Sequence, residues 1–318
     1  MKKSFLNLVI LTIIITISHL GYASSDSTDF DSLANAPKVN IPEVSFHKSF
    51  DGTLNSFYRF PSSSISKVAV IVLHGGGAHS TAGYQHIGKS LSEDYQTNVY
   101  LYDLRGHGLS SGKRGSSPRV SAIRKDLKSF IEFVKKSNEK VYILGHSSGA
   151  GLLLNYSTWK KRTSVNGYFF ISPQFGYKAE IERDIPSTPA FAKIDLYKFI
   201  IASSTFGLVY GKSPAVHFNY PQRVLNRDPL LNTFITRHMS VAMTPKRPIK
   251  QFKQIDRPYA LFAAENDNLI DPNKVMKFCD YSSEEVNRVS VCESVDEGHL
   301  SILINIGHRI GEVLMEWN

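Results

Sequence analysis

From about Lys67 onward the chain alternates short apolar runs of strand length with longer stretches of helical spacing, and this alternation leaves few folds open. Strands are predicted at Lys67 to Leu73, Asn98 to Asp103, Val141 to Leu144, Val165 to Ile171, Tyr259 to Ala264 and Val289 to Val295. Helices are predicted at Gly83 to Tyr95, Pro118 to Ser137, Ser148 to Lys161, Pro272 to Tyr281 and Ser301 to Trp317. The last shows its period most plainly, with Ile302, Leu303, Ile306, Ile310, Val313, Leu314 and Trp317 on one stripe. Strands joined through helices of this length demand right-handed crossovers, hence a mainly parallel sheet covered on both faces. Such sheets bind ligands beyond the carboxyl ends of their strands, so the loops there are where chemistry is expected.

Ahead of this pattern, Glu43 to Phe50 and Thr53 to Phe60 flank Asp51-Gly52 and read as a β-hairpin. Further upstream, Lys2 and Lys3, an apolar run from Phe5 to Ile17 and the small-residue site Gly21-Tyr22-Ala23 read as an export signal cut after Ala23. An uncleaved anchor is the competing reading; the apolar run is nearer the ~13 residues of a signal than the ~20 of a membrane span. The expected location is therefore periplasmic or secreted, with residues 24–40 as a polar linker and 41–318 as one domain. The linear pattern breaks between Pro173 and Arg257, where prolines and aromatic residues recur without alternation. So long a stretch is read as a mostly helical cap inserted over the sheet's carboxyl edge, at about 173–257.

The pattern G-x-S-x-G occurs twice, at Gly108 to Gly112 and Gly145 to Gly149. The second follows the strand ending at Leu144 and leads directly into a helix. That strand, sharp turn and helix can hold Ser147 in strained backbone, with small neighbours where side chains would collide. Around the first copy, glycines and charges continue well past Ser110 and no helix starts until about Pro118. Ser110 is read as a hydrogen-bonding turn residue. A serine nucleophile needs an imidazole to take its proton and an acid to orient that imidazole. Asp267 follows the strand Tyr259 to Ala264, and His299 follows the strand Val289 to Val295. Asp271, deeper in the same loop and before Pro272, suits a helix cap better, and Asp296 and Glu297 are alternatives as loop acids. His47, His217, His238 and His308 are read as structural or surface residues. His74-Gly75-Gly76-Gly77 follows the strand ending at Leu73, so that a backbone N–H of this glycine run, together with that of Ser148, is a candidate for an oxyanion hole.

The motifs HGGGAHS, DLRGHGLSSGKRG, GHSSG, ENDNLIDP and DEGHLSIL, in this order, resemble the α/β-hydrolase superfamily, and within it monoacylglycerol lipases and lysophospholipase-like serine hydrolases. The resemblance covers most of the chain from about Glu43. It implies Ser147 as nucleophile, Asp267 as acid, His299 as base, the oxyanion hole of Gly76 and Ser148, and a cap at Pro173 to Arg257. The expected reaction is cleavage of a lipid-like ester, a monoacylglycerol or lysophospholipid, with no metal or cofactor. Alternatives are a short-chain carboxylesterase, thioesterase or serine peptidase using the same residues, and a non-catalytic lipid-binding module on the same scaffold.

Two cysteines, Cys279 and Cys292, can form a disulfide in an oxidising compartment or remain two buried thiols. The formal charge is +9, of which Lys2 and Lys3 would leave with the signal; basic clusters stand at Lys160 to Arg162 and Lys246 to Lys253. Neither zinc-ligand spacing nor an RNP-type strand is present, so no nucleic-acid partner is expected. Transient contact with an anionic membrane surface, or a merely solvated basic face, accounts for the charge.

Overall fold

The β-branched run Val68–Leu73 is the sheet's centre, almost wholly buried because helices cover both of its faces. The computed structural model describes residues 25–184 and 190–318, so the signal read over residues 1–23 lies outside the described residues. Eleven strands are present among them: β1 (Val44–Lys48), β2 (Leu54–Phe60), β3 (Val68–Leu73), β4 (Asn98–Tyr102), β5 (Lys140–His146), β6 (Gly167–Ile171), β7 (Ala192–Ile194), β8 (Pro214–Phe218), β9 (Phe234–Thr236), β10 (Tyr259–Ala264) and β11 (Val291–Val295). Eight of them form one sheet in the order β1-β2-β4-β3-β5-β6-β10-β11. β1 and β2 pair antiparallel, as does β2 with β4, and every later neighbour is parallel. This is the expected α/β-hydrolase fold.

The hairpin between β1 and β2 turns at Gly52, whose φ of 86° is open to glycine without strain. The strand order reverses at β3, with β4 on one side and β5 on the other, and the crevice opened there is where such sheets take ligands. Helices Val120–Val134 and Ser148–Ser157 face one core layer, built on Tyr102, Phe130 and Phe170. Helices Gln85–Asp94 and Gly307–Trp317 close the other, with Ile302, Leu303, Ile306, Ile310, Val313 and Leu314 buried along the expected stripe. That last segment is two helices, Ile302–Asn305 and Gly307–Trp317, on one face.

Three findings differ from the sequence reading. Residues 25–35, expected within a polar linker, form a helix, Ser25–Asn35. Its weak amphipathic pattern hides the reason, because what holds it is a few polar and aromatic contacts with distant segments, through Asp29, Phe30 and Asp31, rather than a continuous apolar stripe. The cap between β6 and β10 carries the expected helices, Leu196–Ser204, Gln222–Arg227, Arg237–Met243 and Pro248–Phe252, but also the antiparallel sheet β7-β8-β9. Two of those strands have only three residues each, too few to show a period of two. The helix expected over Pro272 to Tyr281 is α-helical to Met276 and then tightens into a 3₁₀ turn, Lys277–Tyr281. Cys279, in that turn, is bonded to Cys292 on β11 across 6.5 Å between Cα atoms, which ties it to the sheet's edge strand.

Candidate active site

The turn after β5 shows why its glycines are there. Ser147 sits at φ 52° and ψ −127°, a strained conformation for a residue with a side chain. A Cβ at Gly145 would come within 2.6 Å of the Gly149 carbonyl oxygen, and one at Gly149 within 2.5 Å of the Leu73 and His74 carbonyl oxygens. Only glycine fits either place. The strain is held by backbone hydrogen bonds on both sides: the Ser147 N–H donates to the Ile171 carbonyl, and the Gln174 N–H to the Ser147 carbonyl, each at 3.0 Å.

Three loops then meet. His299 Nε2 lies 3.0 Å from Ser147 Oγ, and His299 Nδ1 lies 2.6 Å from Asp267 Oδ2. The other oxygen of Asp267 accepts the N–H groups of Leu269 and Ile270, both at 2.9 Å. Arg183, at the start of the cap, donates to the Asp267 and Glu265 carbonyl oxygens. Burial alone would raise the pKa of Asp267, but the charge and hydrogen bond of His299 and the two amides hold it below the ordinary value. Burial likewise works to lower that of His299, and the Asp267 carboxylate outweighs it and holds the imidazole above its usual value. A carboxylate kept ionised therefore fixes Nδ1 as the protonated nitrogen, leaving Nε2 to accept from the Ser147 hydroxyl.

The glycine loop after β3 packs against this turn. A Cβ at Gly76 would lie 2.9 Å from Ser148 Oγ and 3.1 Å from the Phe218 ring of the cap, so its backbone runs beside the turn under an aromatic roof. Ser148 opens the helix Ser148–Ser157, and its N–H has no acceptor within that helix. The positive end of the helix adds to the attraction for an anion at this spot. The sequence thus brings Ser147, Ser148, Asp267, His299 and Gly76 into one place.

The remaining sequence candidates go elsewhere. Asp271 caps its helix, accepting from the N–H groups of Asn273 and Lys274. Asp296 accepts from the Asn266 side chain, and Glu297 from Ser301 and Asn305. Ser110 is buried, donating to the Asp103 carbonyl at 2.8 Å and accepting from the Ser56 N–H at 2.8 Å. Its loop is a brace: a Cβ at Gly108 would fall 2.1 Å from the Asp103 carboxylate, while Arg105 grips Asp126 and Asp51. His47, His217 and His308 contact Ser129, Asp195 and Tyr95, outside the site.

Sequence reasoning passed over His146, the variable residue of the second motif. Its Nε2 lies 2.9 Å from the His299 carbonyl oxygen, which can only accept, so Nε2 carries the proton. Burial, reinforced by the charge of His299, pushes its pKa down to about 3, so the ring is neutral and Nδ1 accepts. The donor is the Tyr84 hydroxyl at 2.9 Å, which itself accepts from the Gly75 N–H at 2.8 Å. The chain Gly75 to Tyr84 to His146 to His299 links the glycine loop to the His299 backbone through one direction of donation. A histidine directly before Ser147 was visible in the sequence; its partner Tyr84 carried no signal.

Beside His299 a small recess is lined by Asp29, Phe30, Phe191, Asn268, Leu269 and Leu300. The walls are mostly apolar, and the cap aromatics Phe191, Phe218 and Tyr220 meet edge to face or tilted above it.

Residues 64–295 match the family model described as Hydrolase_4: serine aminopeptidase, S33. An uncharacterized abhydrolase domain-containing protein of Dictyostelium discoideum is 28% identical over 221 residues, 69% of this chain and 23% of that protein, so the chain spans about a quarter of its length. The monoglyceride lipase of Saccharomyces cerevisiae is 21% identical over 262 residues, 76% of this chain and 81% of the lipase. A solved soluble variant of a Saccharomyces cerevisiae monoglyceride lipase, in complex with a substrate analog, superposes with a TM-score of 0.65 at 18% identity, covering 88% of this chain and 97% of the other. At that identity the likeness is one of fold.

Proposed function

The chain belongs to the Hydrolase_4 (serine aminopeptidase, S33) family of hydrolases, and from that premise we propose that it is a serine esterase cleaving a lipid-like carboxylic ester. The observation that carries the reading is the continuous chain from Asp267 through His299 to Ser147, ending on a strained turn with the glycine loop alongside. His299 Nε2 takes the Ser147 proton as Oγ attacks the ester carbonyl, and the N–H groups of Gly76 and Ser148 hold the developing oxyanion. The protonated His299 then gives its proton to the leaving alcohol oxygen as the C–O bond breaks, leaving an acyl group on Ser147. Water, deprotonated by the same imidazole, attacks the acyl carbonyl and releases the fatty acid with Ser147 restored.

The apolar lining beside His299 and the cap aromatics Phe191, Phe218 and Tyr220 support an apolar acyl chain as the group bound there. The family's description as an aminopeptidase supports a second reading, in which a cationic amino terminus sits near the serine. Against it, each oxygen of Asp29, the acid in the recess, is taken by a backbone N–H. Support for transient contact with an anionic membrane comes from the cap: Leu196, Ile200, Phe206 and Leu208 are exposed, Phe206 by 96%, beside the exposed Lys193 and Lys212. No helix among the described residues is long and apolar enough to cross a membrane. The leader-like residues 1–23 and the disulfide between Cys279 and Cys292 support an exported, periplasmic or secreted protein.

The deciding experiment is product analysis after incubation with monoacylglycerols and lysophospholipids of graded chain length, with aminoacyl amides in parallel. Fatty acid release rising with chain length is the expected result. Turnover of the aminoacyl amides alone would replace the lipid reading with the peptidase one.

A further inference from the structure

The helix Ser25–Asn35 lies outside the stretch matched by the family model, yet it touches the site. Asp29 accepts the Leu300 N–H at 2.7 Å with one carboxylate oxygen and the Ser301 N–H at 2.8 Å with the other. On the preceding side, a Cβ at Gly298 would stand 2.8 Å from Asp29 Oδ1, so the missing side chain at Gly298 makes room for this carboxylate. The backbone is therefore held immediately after His299 and closely approached immediately before it. Phe30, the next residue, packs its ring 6.1 Å from that of Phe191 and 5.9 Å from that of Tyr220, both in the cap. Asp31 pairs with Arg223 of the cap helix Gln222–Arg227 at 3.0 Å. One turn of helix thus bolts the loop that carries the imidazole to the roof of the recess.

Resting on the esterase reading above, we propose that Asp29 is a positioning residue for His299, and that the helix bearing it completes the active site. Two charge-assisted hydrogen bonds to consecutive amides fix the direction in which the His299 Cα–Cβ bond leaves the chain. The imidazole must keep Asp267 at one nitrogen and Ser147 at the other, so a small swing of this backbone would break one of the two contacts. Burial keeps the Asp29 pKa above its ordinary value, opposed by the two amides and by His299. The charge of Asp29 also adds to that of Asp267 in stabilising the protonated His299. The groups facing His299 are Asp267 from the loop after β10, Asp29 from the helix and neutral His146 from β5; Arg183 reaches the Asp267 and Glu265 carbonyl oxygens and not the imidazole.

The test uses Asp29→Ala, Asp29→Asn and Phe30→Ala in the full chain, with a soluble short-chain ester, kinetics per folded molecule and fluorophosphonate labelling. Asp29→Ala is expected to lower kcat roughly tenfold, with KM changed less and labelling still on Ser147 but slower. Asp29→Asn keeps one acceptor and removes the charge, so the acid limb of kcat/KM should move to lower pH by about half a unit. Phe30→Ala should raise KM and leave that limb in place. Wild-type kcat and an unmoved acid limb in Asp29→Asn would overturn the proposal, as would a loss in Asp29→Ala fully explained by a smaller folded fraction. Absence of labelling in the wild-type chain would instead sink the esterase reading itself.

Discussion

Replacing Asp267 by asparagine separates the acid of the site from its neighbour Asp271 more sharply than any other single change. In the native arrangement one Asp267 oxygen accepts from His299 Nδ1 at 2.6 Å and the other takes the amides of Leu269 and Ile270 at 2.9 Å. Asparagine has one oxygen for these two jobs. Two backbone donors outvote one imidazole, so the amide oxygen turns to Leu269 and Ile270 and the NH₂ group faces His299 Nδ1. The imidazole must then present a lone pair at Nδ1 and carry its proton on Nε2, where it can no longer accept from Ser147. A wrong tautomer at this position costs about 10⁴ in kcat, or about 5.5 kcal/mol of transition-state stabilisation. The residual reaction should also shift in pH. Only neutral His299 can take the serine proton, so activity falls as pH drops through its pKa, which the wild-type carboxylate holds above the ordinary 6.5. With the charge removed, the acid limb moves to lower pH. Asp271→Ala, by contrast, removes a helix cap and should cost about 1 kcal/mol of stability with kcat unchanged. Initial rates on p-nitrophenyl butyrate across pH, with thermal melts to count folded protein, read both variants. More than a tenth of wild-type activity in Asp267→Asn, or an equal loss in Asp271→Ala, would refute the reasoning.

Other outcomes follow from the same geometry. Ser110→Ala should leave ester hydrolysis per folded molecule unchanged while lowering stability by about 1–3 kcal/mol in urea unfolding, because the Ser56 N–H and the Asp103 carbonyl lose a buried partner. Cys279→Ser with Cys292→Ser opens a loop spanning 13 positions and should cost about 3 kcal/mol, with thiol titration of the unfolded wild type finding reactive groups only after reduction. Phe206→Ser with Leu208→Ser should abolish co-sedimentation with anionic vesicles and slow hydrolysis of dispersed monoacylglycerol, with the soluble short ester cleaved as before.

What the sequence made legible was whatever repeats or whatever is chemically forced. The sheet strands fell where the apolar runs are, β10 over Tyr259–Ala264 to the residue, because a strand buried on both faces must be apolar throughout. The turn at Ser147 could be told from that at Ser110 because a strained turn between strand and helix leaves glycines only where backbone comes close, as at Gly145 and Gly149. The cap strands β7 and β9 were not legible, since three residues carry no period. The helix Ser25–Asn35 was read as linker because its anchors, Asp29 to Leu300 and Ser301 and Asp31 to Arg223, span about 270 and 192 positions of chain. Long-range polar contacts of that kind leave no local pattern. Tyr84 stayed hidden for the same reason: its hydroxyl joins Gly75 to His146, and nothing around it in the chain marks it as different from any other core tyrosine.

The central claim is that Ser147, and no other hydroxyl, attacks the substrate. Fluorophosphonate labelling followed by peptide mass mapping tests it most directly. The account predicts one adduct, on Ser147, formed at a rate that falls with pH as His299 is protonated, and no adduct in Ser147→Ala. An adduct on Ser148 or Ser110, or labelling that survives in Ser147→Ala, would contradict it.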